Sequence, residues 1–159
     1  MYIRLSRETD KYKINELLEL SFGDRNRRGS LDNLTGRYLL AFLDDKLVGM
    51  TGLIYSEQYK GYEVDWTCTH PDYRCKGIMH ELFSRLCSLT DEIIYCSCWR
   101  QQDKDRINLH SLMRDFGFKE VMKPRVTWDS RYNCECGRTG YKFVAKAHRL
   151  AYGMKATFL

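Results

Sequence analysis

The residues best able to do chemistry lie together between Val64 and Met79, where an alternating strand runs into a short turn, Asp72-Tyr73-Arg74-Cys75-Lys76-Gly77, and then a helix. A helix start leaves about four backbone N–H groups without partners and carries about half a positive charge. An anion, above all a phosphate, fits such a place, and Gly77 lets the backbone come close to it. The strand is predicted over Gly61 to His70. Side chains alternate along a strand, so Glu63, Asp65, Thr67 and Thr69 are expected on one polar face and Val64, Trp66 and Cys68 on an apolar one. Two other phosphate-binding patterns, Gly-x-x-x-x-Gly-Lys-Ser/Thr and Gly-x-Gly-x-x-Gly, do not occur.

The other chemistry-bearing residues form weaker patterns. Seven cysteines make an odd count in a chain with room for a sizeable core, which points to reduced thiols and a cytoplasmic setting rather than a disulfide framework. Cys96 with Cys98 and Cys134 with Cys136 are two Cys-x-Cys pairs. Their spacing departs from the usual zinc pattern and strand cysteines are commonly small buried hydrophobes, so no metal is expected. His70, His80, His110 and His148 have no ligand spacing among them. Arg25, Arg27 and Arg28 lie in a polar stretch from Gly23 to Gly36 that reads as a solvated loop with a short helix around Leu31 to Leu34.

These residues need a scaffold, and 159 residues suffice for one domain, residues 1–159, that buries roughly two-thirds of its unfolded surface. The hydrophobic share of 43% and charged share of 30% are those of a globular protein. No apolar run approaches the ~20 residues that span a bilayer, and the first residues lack a secretory pattern. The net charge of +5 suits an anionic cofactor without demanding nucleic acid. Ile3 to Leu5 reads as a strand, and Ile14, Leu17, Leu18 and Phe22 as a helical stripe with Asp10 at its N-cap. Tyr38 to Leu43 and Lys46 to Tyr55 are strands joined by a tight Asp44-Asp45 hairpin. Ile78 to Leu89 is an amphipathic helix, Glu92 to Cys98 a strand, and Leu109 to Phe116 a helix ending at Gly117. Strands follow at Phe118 to Met122 and Tyr141 to Ala147. The order is β-α-(α)-β-β-β-α-β-α-β-β.

Arg74-Cys75-Lys76-Gly77-Ile78-Met79, led in by His70-Pro71-Asp72-Tyr73, resembles the pyrophosphate loop of the GNAT superfamily of acetyl-CoA-dependent N-acetyltransferases. Met79 stands where that pattern has a small residue, and Cys75 where glycine is common. The resemblance implies an α/β (α+β) fold with a central mixed, mostly antiparallel sheet of six to seven strands and about four helices. It implies acetyl-CoA as cosubstrate, with the loop amides of residues 74–79 on the pyrophosphate and Thr67, Cys68 and Thr69 pairing with the pantetheine arm. Asn108 resembles a cofactor-contacting asparagine, although an N-cap suits it equally. Glu63, eleven residues before Arg74, matches a catalytic glutamate of the histone-acetyltransferase branch, and Asp65 is the second candidate base. The tyrosine that often serves as general acid falls on Met113, leaving that role to Tyr73, Tyr132 or water.

The expected activity is transfer of an acetyl group to the primary amine of an unidentified small molecule or peptide. No membrane partner is expected, nucleic acid is disfavoured, and a homodimer is compatible with the reading. The alternatives are a catalytically weak acyl-CoA sensor, favoured by Met113, or a basic nucleic-acid-binding module using Arg25 to Arg28 and Lys142 to Arg149.

Overall fold

The computed structural model describes residues 1–22, 35–57, 60–100, 109–129 and 134–144. They fall into two compact units, one of residues 1–55 and 64–86, the other of residues 56–63 and 87 onward.

In the first unit, strand β1 (Tyr2–Leu5) is followed by a 3-10 turn (Glu8–Asp10), helix α1 (Lys11–Phe22), strands β2 (Arg37–Leu43) and β3 (Lys46–Ser56), most of β4 (Gly61–Thr69) and helix α2 (Ile78–Cys87). The strands lie in the order β1-β2-β3-β4. β1 and β2 are antiparallel, as are β2 and β3, whose ladder closes at Leu43↔Lys46. The connecting Asp44 and Asp45 both take positive φ, 46° and 62°, the conformation a two-residue hairpin needs and one that aspartate tolerates. The expected hairpin is therefore present, with its strands within a residue of the predicted limits.

The core of this unit forms where the apolar stripe of α1 meets the sheet. Ile14, Leu17 and Leu18 pack with Tyr38, Leu40, Phe42, Leu47, Met50 and Cys68. Helix α2 approaches β3 over Gly49, where an added Cβ would come within 2.9 Å of an Ile78 methyl and 3.1 Å of Leu82.

Asp10 departs from its expected role as the α1 N-cap. Its carboxylate accepts two hydrogen bonds from the Arg4 guanidinium, both at 2.7 Å, and one from the Arg7 backbone N–H at 2.7 Å. A forked guanidinium matches a carboxylate better than a single backbone donor does, and β1 supplies one nearby. The bonds from Arg4 hold the Asp10 carboxyl below its ordinary range, the Arg7 N–H adds to this, and burial opposes it. A folded-state pKa below the unfolded one gives stability that is complete above about pH 4 and lost as pH falls through the folded value. Asp10→Asn should cost about 2–3 kcal/mol at neutral pH, the scale of hydrogen bonds to charged groups, and should flatten the acid side of the stability curve. Urea titrations across a pH series check this; an unchanged acid limb would assign the pair no such role.

In the second unit the first residues of β4 pair in parallel with β5 (Ile93–Arg100), at Tyr62↔Ile94 and Glu63↔Tyr95. β7 (Cys134–Val144) pairs antiparallel with β5 on one side and with β6 (Lys119–Asp129) on the other. Helix α3 (Leu109–Asp115) stops where predicted: Gly117, at φ 74°, donates to the Arg114 carbonyl and Phe118 to the Met113 carbonyl. This is the paired-bond termination that favours glycine. β6 and β7 are longer than the sequence pattern suggests. Pro124 interrupts the alternation of β6, and its ladder to β7 skips between Met122 and Arg125, as proline requires on a strand at the end of a sheet.

The fold is thus mixed α/β with a mostly antiparallel sheet. The described residues hold three α-helices, and the short helix expected around Leu31 to Leu34 lies outside them. No helix among the described residues is long and apolar enough to cross a membrane.

Candidate functional site

The turn after β4 takes its shape from four residues. His70 accepts the Asp72 backbone N–H at its Nδ1 over 3.3 Å, and its own backbone N–H bonds the Val48 carbonyl at 2.9 Å, which ties the end of β4 to β3. Pro71 then opens a 3-10 turn over Pro71–Tyr73. Cys75 and Gly77 follow at φ 59° and 75°, two left-handed kinks that swing the backbone into α2. The first α2 bond, from the Glu81 N–H to the Gly77 carbonyl at 3.1 Å, leaves the amides of Ile78 and Met79 ahead of the i→i−4 ladder. Apart from its two chain neighbours, no heavy atom comes within 4 Å of a Cβ built on Gly77, so the space beside this residue is open.

Cationic side chains gather here. Lys76 and Lys46 place their ammonium groups 4.8 and 5.2 Å from the Tyr73 ring centroid, and His70 meets the same ring edge-on at 5.2 Å. Arg74 reaches back to the Thr69 carbonyl at 3.4 Å. Lys46 belongs to the β2–β3 hairpin and gave no signal in sequence, since only the pairing of β3 with β4 brings it to this turn. Among the predicted loop residues, Arg74, Cys75, Lys76 and Gly77 are exposed, whereas Ile78 is 3% exposed and turns its side chain into the core. Ile78 therefore offers an anion its backbone alone. Met79 is half-buried.

A left-handed conformation costs a non-glycine residue roughly 1–2 kcal/mol, against roughly 0.5–1 kcal/mol for the extra unfolded-state freedom of glycine. Cys75→Gly is therefore expected to raise stability by up to about 1 kcal/mol in thermal denaturation, and a loss would show that the Cys75 side chain makes a contact worth more than its strain.

The predicted faces of β4 need correction. Trp66 has φ 39°, a value foreign to a strand and expected of a bulge, which re-aims side chains. Thr67 shares a 2.9 Å hydrogen bond with Thr51, while Cys68 and Trp66 pack with the α1 cluster. Asp65 accepts a 2.6 Å hydrogen bond from the hydroxyl of Tyr38, itself a member of that cluster. The bulge thus separates Asp65 from Thr67 and puts it with Trp66 and Cys68. Cys68 is 7% exposed, and burial pushes its thiol up to about 12. Its side chain is core, and the alternation that points the His70 N–H at β3 points the Cys68 backbone the same way, so the expected contact of Cys68 with the pantetheine arm is not available. Because His70 turns its N–H to β3, strand alternation turns the backbone groups of Thr67 and Thr69 away from β3.

Glu63 is half-buried and belongs to the second unit, where it pairs in register with Tyr95. Met113, at the position of the expected acid, is fully buried. Asn108, Tyr132 and Arg25 to Arg28 lie outside the described residues. Cys96 stands opposite Tyr141 and Cys98 opposite Thr139, so Cys136 is three residues along β7 from the nearer of them. At ~3.3 Å per residue that separates the two pairs by about 10 Å along the strand, against a zinc–sulfur bond of about 2.3 Å.

Residues 4–118 match the model of the Acetyltransferase (GNAT) family. The chain belongs to that family of acyl-transferring enzymes. Solved structures of similar fold include an aminoglycoside 6′-N-acetyltransferase complexed with coenzyme A, at a TM-score of 0.70 and 15% identity over 91% of this chain and 97% of that one. The aminoglycoside 6′-N-acetyltransferase from Enterococcus faecium gives a TM-score of 0.72 at 15% identity over 91% and 97% of the two chains. An acyl-CoA N-acyltransferase from Pseudomonas aeruginosa gives 0.65 at 16% identity over 89% and 97%. No curated protein matches the sequence.

Proposed function

We propose that this chain is an N-acetyltransferase that moves the acetyl group of acetyl-CoA onto a primary amine by direct attack, acting as one catalytic domain in the cytoplasm. The observation that carries the reading is the pair of left-handed kinks at Cys75 and Gly77, which open the first turn of α2 toward solvent among Arg74, Lys76 and Lys46. Donors already oriented toward one point hold a pyrophosphate without reorganising. The outward backbone of Thr67 and Thr69 suits the pantetheine arm as an added strand.

In the reaction a neutral amine nitrogen attacks the thioester carbonyl, the C–N bond forms, the C–S bond breaks and the coenzyme thiolate takes up a proton. Glu63 is the proposed base that removes the proton of the incoming ammonium, with Asp65 the second candidate. Asp65 is the poorer base because its carboxylate already accepts the Tyr38 hydroxyl. Buried Met113 supplies no proton, so the thiolate is protonated from another group or from water. That same feature favours the second reading, a weak or inactive acyl-CoA sensor.

Calorimetric titration with acetyl-CoA, followed by thiol release with a panel of primary amines, tests the reading. Micromolar binding with amine-dependent thiol release is expected. Binding without release from any amine would move the assignment to the sensor, and no binding at millimolar acetyl-CoA would overturn both.

A further inference from the structure

Tyr38 and Asp65 form a device that nothing in the transfer reaction by itself requires. Tyr38 stands opposite Gly52 in the β2–β3 ladder, and a Cβ on Gly52 would fall 2.3 Å from the Tyr38 ring. The missing side chain lets the ring lie across β3, so that its hydroxyl reaches the Asp65 carboxylate on β4 at 2.6 Å. The bulge at Trp66 completes the approach by turning Asp65 onto the Tyr38 side. The Tyr38 hydroxyl fills one of the roughly four acceptor positions of a carboxylate.

Asp65 is half-buried, and among the described residues no cationic side chain pairs with it. Burial pushes its carboxyl up, against the pull of the Tyr38 hydroxyl. A carboxylate drawn out of water normally has a cation beside it. The next residue along β4, Trp66, meets Phe22 edge-to-face at 6.0 Å, and Phe22, on the last turn of α1, is 38% exposed. Aromatic faces attract ammonium groups and cover apolar stems.

From this arrangement we infer that Asp65, oriented by Tyr38 and followed by Trp66 with its ring partner Phe22, binds the ammonium group of the acceptor, and that the acceptor is a monoamine carrying an apolar or aromatic body. The inference deepens the acetyltransferase reading and rests on it for the word acceptor; the amine site itself can be tested without the coenzyme. Asp65 holds the ammonium and Tyr38 is a positioning residue that fixes the carboxylate. One carboxylate neutralises one ammonium, and the aromatic pair gives a polyhydroxylated amine little to hydrogen-bond.

The probes are phenethylamine, its neutral analogue 2-phenylethanol, and glucosamine. Binding is measured first by equilibrium dialysis against the coenzyme-free full chain, then as KM and kcat in thiol release from acetyl-CoA. Phenethylamine should bind at least ten-fold more tightly than either of the others. Asp65→Asn should weaken it at least ten-fold, and Phe22→Ala and Tyr38→Phe about three- to ten-fold, while the acetyl-CoA Kd stays within two-fold. In turnover these losses should fall on KM, with kcat changed less than three-fold.

Phenethylamine binding unaffected by Asp65→Asn, or no preference over 2-phenylethanol, overturns the inference. So does a loss confined to kcat, which would make Asp65 a base. If Asp65→Asn does not fold, Tyr38→Phe and the exposed Phe22→Ala decide by the same criteria. A chain that binds phenethylamine through Asp65 but not acetyl-CoA would keep the amine site and sink the acetyltransferase reading; one that binds acetyl-CoA but not phenethylamine would do the reverse.

Discussion

Gly77→Glu should abolish acetyl-CoA binding, raising Kd at least a hundred-fold, in a protein that still folds. Gly77 sits at φ 75° with open space where a Cβ would go, so a Cβ there meets no atom and its cost is that of the backbone conformation, roughly 1–2 kcal/mol. What the carboxylate does meet is the place proposed for the pyrophosphate. Two like unit charges about 4 Å apart at a protein surface repel by about 4 kcal/mol, close to a thousand-fold in affinity. Gly77→Ala separates the contributions, since it carries the same backbone cost without the charge and should bind within several-fold of wild type. Calorimetry with acetyl-CoA, beside a circular-dichroism melt, reads both variants. If the glutamate variant binds as tightly as wild type, the pyrophosphate does not lie on this turn.

The second large effect is expected at Glu63. Replacing its carboxylate by the amide of Gln removes a proton acceptor while keeping shape, and a positioned base is typically worth 10²–10⁴ in rate. Glu63→Gln should therefore lower kcat by about that factor and leave the acetyl-CoA Kd unchanged. The variant should recover as pH rises, because more of the acceptor then arrives already neutral and needs no base. A kcat within three-fold of wild type would remove Glu63 from the mechanism. Set beside Asp65→Asn, the outcome is diagnostic: a base moves kcat and an ammonium holder moves KM.

The proposed cofactor turn was legible from sequence because its determinants are neighbours in the chain. Arg74 to Gly77 lie within four residues, the glycine permits one of the two kinks, and the helix that follows announces itself by its apolar period. The hairpin at Asp44-Asp45 and the stop at Gly117 were equally readable, since each depends on φ values that only a few residue types adopt. β6 and β7 were read short because Pro124 and the glycines of β7 break the alternation that identifies a strand, and cross-strand pairing, invisible locally, sustains them.

The sequence alone therefore determined the element order, the turn proposed to hold the pyrophosphate and the presence of two carboxylates on one strand. Only the tertiary structure decided which way the Asp65 carboxylate faces and which residue holds it. A single bulge at Trp66 reverses the side-chain parity of β4, and Tyr38 finds Asp65 across 27 residues because Gly52 leaves room between them. Arg4 likewise takes Asp10 from its expected cap. Turn chemistry and periodicity are written within a few residues, whereas the partner of a buried polar group is settled by which strands lie side by side and by what space their side chains leave.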